Sequence, residues 1–205
     1  TLGFVENSQI FISKANYLAG ISHNTIAYGT KVSPSDYVGV HLYYLDSGSM
    51  QETNEDGLTG QDFKYTGLAL RVAYAKQVTD RLKLGGNFKF LRESTTSADL
   101  SMSSIGFDIG SNFETGIAGM TLGMCISNFG PEVQFKGPGL PTGSETTSSG
   151  LAEKKTEFFP LPMMFRLGVE NQIMGAREDA LIKSDTHRLI VAADGIKPID
   201  YTVHG

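Results

Sequence analysis

The sequence predicts an all-β fold: antiparallel strands, about eight of them, in a barrel or in part of a larger one. Three observations carry that reading. Apolar and polar residues alternate with a period of two through most of the chain, which is the signature of strands with two unlike faces. Short turns take turns with long polar connections. Within the strand centres every charge lies opposite the large apolar side chains. The same pattern suits a transmembrane barrel, lipid outside and a polar lumen inside, or a soluble up-and-down barrel or sandwich.

In chain order, "GISHNTIAYGTK" gives a weak first strand and "YVGVHLYYL" (37–45) an apolar second one. Residues 63–78 set Leu68, Leu70, Val72 and Tyr74 against Gly67, Ala69, Arg71, Ala73 and Ala75; residues 82–90 set Leu82, Leu84, Phe88 and Phe90 against Lys83, Gly85, Asn87 and Lys89. The turn "TDR" joins them. Next comes a hairpin about "TGIAG", with Ile105, Phe107, Ile109 and Phe113 opposed to Asp108, Asn112 and Glu114 before the turn. After it, Met120, Leu122, Met124 and Ile126 oppose Thr121, Gly123, Cys125 and Ser127. The Gly-containing link is hairpin chemistry. "MMFRLGVE" (163–170) places Arg166 and Glu170 together opposite Phe165, Leu167 and Val169, and "HRLIVAAD" closes the series.

The long connections are 46–62, 92–101 and 129–161, and the short ones include "VSPSD". Short turns at one rim and long polar loops at the other is the rhythm of bacterial transmembrane barrels. The link "GAREDALIKSDT" is too long for the short rim and departs from it. Two further features favour the membrane. A Lys or Arg facing lipid at the midplane costs about 2–4 kcal/mol, and Arg71, Lys83, Lys89, Asp108, Glu114, Arg166 and Glu170 all avoid the apolar face. These seven are the candidate lumen residues. The polar face is also rich in Gly and Ala, where a solvated face would carry Lys, Glu and Thr; small residues suit a crowded interior.

Composition narrows the function. Acidic residues outnumber basic ones 22 to 17 and no basic cluster stands out, which argues against nucleic acid as a partner. No apolar stretch is long enough for a spanning helix. The single Cys125 forms no internal disulfide and reads as a small packed side chain. No catalytic motif, phosphate loop or Cys/His metal spacing is present, so neither an enzyme, a cofactor nor a metal is expected. His23, His41, His187 and His204 are scattered; Glu52, Glu55 and Asp56 lie in an acidic loop without EF-hand spacing and read as solvated. In the long loop, "GPGLPTGSETTSSG" is polar and Phe158 and Phe159 end it with an apolar pair, a candidate anchor for a protein partner.

Six segments, "YLDSGSM" (44–50), "YAKQVTDRLKLGGNFKFLRE" (74–93), "FDIGSNFETG" (107–116), "LGMCISNFGPEVQFKG" (122–137), "FPLPMMFRLGVE" (159–170) and "LIVAADGIKPID" (189–200), together resemble the PorV/PorQ family of outer-membrane proteins, within the wider FadL-like barrel group. The resemblance implies a bacterial outer-membrane location, a signal peptide, an Asn-Pro-Ala opening segment and a barrel of about fourteen strands. Residues 1–205 are then expected to be one barrel domain, incomplete at both ends. Some members of the family serve the type IX secretion system as carriers or scaffolds. The implied partners are outer-membrane lipid, secreted cargo and secretion-system components; FadL relatives instead conduct hydrophobic small molecules. A soluble β-barrel binding protein is the remaining alternative.

Overall fold

A computed structural model describes residues 2–54, 57–96, 99–140, 144–146 and 152–199. The protein is all-β and largely antiparallel. After a 3-10 turn at Leu2–Phe4 come β1 (Ser8–Asn16), β2 (Ser22–Lys31), β3 (Asp36–Asp46), β4 (Met50–Asn54), β5 (Gly57–Phe63), β6 (Tyr65–Gln77), β7 (Leu82–Thr95), β8 (Leu100–Glu114) and β9 (Met120–Phe129). Then follow β10 (Ser144–Thr146), β11 (Ala152–Lys154), β12 (Met164–Gly175), β13 (Ile182–Lys183) and β14 (Leu189–Pro198).

One ten-stranded sheet dominates, in the order β1-β2-β3-β6-β7-β8-β9-β12, with β14 on the far side of β12 and the two-residue β13 running parallel at its end. Every other pairing in this sheet is antiparallel. β4-β5 and β10-β11 are separate hairpins. The sheet is open: among the described residues β1 pairs only with β2 and β14 only with β12.

Three expectations about the elements change. β1 lies outside the expected series, because Ile10, Phe11 and Ile12 are contiguous and hide the period of two. Residues 92–101 are mostly ladder, not loop: β7 and β8 stay paired out to Thr95 and Leu100. Ser and Thr there read as loop but suit strand pairs, as the 2.8 Å bond between the Thr66 and Ser94 hydroxyls illustrates. The loop 46–62 in turn contains the β4-β5 hairpin.

Register fixes the two faces. The cross-strand row Ala27, His41, Arg71, Lys89, Gly106 shares one face, as does the row Tyr37, Ala75, Gly85, Gly110, Cys125, Arg166. This is the covered face. The opposite, open face carries the large apolar side chains, among them Ile12, Ile26, Val40, Val72, Phe88, Phe107, Ile109, Met124, Leu167 and Val191, all exposed. Ile109 is 70% exposed while Lys89 is 3% exposed, the reverse of a water-soluble protein's habit.

Two small cores sit on the covered face. Near the short turns, Val5 packs with Tyr37, Ala75 and Leu2. Leu2 approaches the sheet where it has no side chains: a Cβ on Gly29 or on Gly39 would stand 3.0 Å from Leu2 Cδ1. Near the long connections, Met102, Val133 and Leu161 pack with Leu91 and Phe135. The residues flanking the long loop's centre are therefore anchored, with Val133 paired to Phe159 through two backbone bonds of 2.8 and 2.9 Å.

Candidate functional site: the covered face of the sheet

A buried ion pair occupies the middle of the covered face. The Lys89 ammonium lies 2.5 Å from Asp108 Oδ1, with side chains 3% and 15% exposed. Asp108 also accepts from Asn87 Nδ2 at 2.9 Å and from the Asn128 backbone N–H at 2.8 Å. Lys89 donates to Asn128 Oδ1, and Asn128 Nδ2 donates to Pro162 O at 2.7 Å. The network thus ties β7, β8 and β9 to the segment entering β12. Burying these charges is tolerable because both are paired and their remaining hydrogen-bonding capacity is largely met.

Asn128 reaches this position through a bulge. The β8-β9 register shifts between Phe107/Phe129 and Ile109/Ile126, and Asn128 takes φ 63°, a left-handed conformation that Asn tolerates better than most residues. One extra residue on β9 turns the Asn128 side chain onto the covered face while Phe129 returns to the open one.

Toward the short turns the face is more open. Lys83 places its ammonium 3.6 Å from the centroid of the Phe4 ring, a cation–π geometry, and Gly3 packs on the Lys83 stem. A groove of about 590 Å³ here includes Phe4, Lys83, Asp108, Cys125 and Glu170 in its walls. A second of about 560 Å³ lies on the other side of the opening segment, against His41, Arg71 and Asn87. At the short rim Arg177 meets Glu114 Oε2 at 3.3 Å, both Asp179 oxygens at 3.0 Å and the Thr121 hydroxyl at 3.1 Å. The anomalous link between β12 and β14 is thereby pinned to the end of the β8-β9 hairpin.

All seven candidate lumen residues share the covered face. They do not form one site. Lys89 and Asp108 pair, Glu114 belongs to the Arg177 cluster, and Lys83 lies on the opening segment. Arg166 is exposed near the β14 edge and Glu170 half-buried beside it. Sequence reasoning assigned no role to Asn87, Asn128 or Arg177. Asn128 carried a readable signal, since Ile126 and Phe129 are three apart where the alternation demands two.

Phe159 stacks on Phe135 with centroids 6.0 Å apart and an interplanar angle of 22°, and it remains 39% exposed. Phe158 is 63% exposed. Glu55, Asp56 and His204 lie outside the described residues. No group of three or more His, Cys, Asp or Glu placed to hold a metal occurs among the described residues. No family model matches the chain, and no curated protein matches it.

Proposed function

We propose that the chain is part of a bacterial outer-membrane β-barrel of the PorV/PorQ type, whose parent protein acts as carrier or scaffold for proteins exported by the type IX secretion system. The observation that carries the membrane reading is the inverted burial: large apolar side chains exposed on one face from β1 to β14, and the Lys89/Asp108 ion pair buried on the other. Soluble monomers seldom expose an apolar patch beyond a few hundred Å². Lipid is the environment in which such a face is stable.

Barrel closure follows from the same premise. Open strand edges do not persist in the hydrocarbon region, so β1 and β14 are edges for further strands of a FadL-like barrel, with the Lys89/Asp108 face turned to its interior. The carrier reading rests on the resemblance of the six quoted segments and on the exposed Phe158 beside a long polar loop; it describes a scaffold, not an enzyme. The grooves of about 560 and 590 Å³ along the covered face favour a second reading, a channel for hydrophobic small molecules.

Deletion of the full-length gene in its host separates the two. Loss of surface-protein export with normal uptake of hydrophobic substrates is the expected result. Normal export with impaired uptake would reject the carrier and support the channel.

A further inference from the structure

Arg71 is a cation on the covered face without a counter-charge. Lys89, directly opposite it on β7, is neutralised by Asp108, but Arg71 takes part in no ion pair among the described residues. Its Nε is buried without a protein partner, and the same holds for His41 Nδ1 and Asn87 Oδ1. These orphaned groups are neighbours. His41 stands opposite Arg71 on β3, and Asn87 opposite Ala73, one step along the face and so diagonal to Arg71, a separation of about 7–8 Å between backbones that long side chains bridge.

All three line the groove of about 560 Å³, whose other walls include Leu2, Val5 and Phe11. The guanidinium fork and the imidazole therefore face an apolar cover made by Leu2 and Val5 of the opening segment and Phe11 of β1. Buried polar groups in native proteins are nearly always satisfied, and a guanidinium fork is shaped for a bidentate carboxylate. The apolar cover selects an acid with an apolar body over a bare inorganic anion.

We propose that Arg71 and His41 form a binding site for a small organic carboxylate, with Arg71 holding the carboxylate, His41 beside it, and Leu2, Val5 and Phe11 covering its apolar part. The site stands whether the parent protein is a carrier or a channel, because it needs only the covered face.

The test is calorimetric titration of the full-length protein in detergent micelles at fixed ionic strength, with benzoate as probe and benzyl alcohol as its uncharged analogue. Saturable benzoate binding is expected, with none for benzyl alcohol. Arg71→Gln should weaken benzoate at least about tenfold, the loss of one charge-assisted contact, and Arg71→Lys, which keeps the charge without the fork, should fall between. His41→Gln gives an independent variant should Arg71→Gln not fold, and it too should weaken binding. Absence of saturable benzoate binding, equal binding of benzyl alcohol, or unchanged affinity in folded Arg71→Gln or His41→Gln would overturn the proposal.

Discussion

Asp108→Ala is the most informative single change on the covered face. It removes the carboxylate that receives the Lys89 ammonium, the Asn87 amide and the Asn128 N–H, while Lys89 remains 3% exposed. Breaking a buried pair from one side costs about 3–5 kcal/mol. Asn128 Oδ1 still accepts from Lys89, which places the expected loss at the lower end of that range. The double variant K89M/D108N removes both charges at nearly unchanged volume and keeps an acceptor for the Asn128 N–H; it should recover most of the loss, since no buried charge is then left without its partner. Urea unfolding of the full-length protein in lipid vesicles, followed by the electrophoretic shift between its folded and unfolded forms, reads all three. Asp108→Ala within about 0.5 kcal/mol of the parent, the range of an ordinary surface change, would refute the reasoning. So would a double variant as damaged as the single, because the cost would then not come from an orphaned charge.

Ile109→Arg, on the open face, should destabilise the protein in bilayers by about 2–4 kcal/mol near the midplane, measured by the same unfolding assay. Gly39→Val should displace the opening segment, since a Cβ there already stands 3.0 Å from Leu2 Cδ1 and 3.1 Å from Tyr28 O; faster cleavage near Glu6 by added protease checks it. At the turn between β2 and β3, hydrogen bonds from Ser33, Tyr74 and Ser35, with Lys76 nearby, hold the Asp36 carboxyl well below the usual carboxylate range. A lowered folded-state value stabilises the turn above the unfolded value of about 3.9 and loses that contribution as pH falls below it toward the folded value. Hydrogen exchange at residues 32–36, corrected for intrinsic rates, should show more opening at low pH, and Ser33→Ala, which removes the largest cause of the lowering, should make that pH-dependent change smaller. If the long connections face outward, protease added to intact cells should cut within residues 137–157; cleavage only after the outer membrane is opened would reverse that orientation.

The strand class was legible because alternation is a local property: Arg71, Lys83, Lys89 and Asp108 announce their shared face from neighbours two residues away. The pairing of Lys89 with Asp108 was not, because it depends on register across β7 and β8 together with a bulge on β9. Asn128 reads as a turn residue until the ladder places it beside the ion pair. β1 was obscured by three contiguous apolar residues, and the ends of β7 and β8 by hydroxyl side chains that serve loops and strand pairs equally well. The opening segment's packing on Gly29 and Gly39 is non-local and left no pattern in the sequence. Arg177 lay in a link that looked merely too long, and its contacts with Glu114 and Asp179 give that length a structural role at the short rim.

Spin labels placed singly at Ile109 and Asn112 of the full-length protein in bilayers test most directly whether the open face meets lipid. The two positions lie on opposite faces of β8, Ile109 being 70% exposed and Asn112 paired with Lys83 on the covered side. Collision with oxygen should dominate at 109 and collision with a water-soluble nickel chelate at 112. The reverse pattern, or a label at 109 as accessible to the chelate as one at 112, would contradict the account.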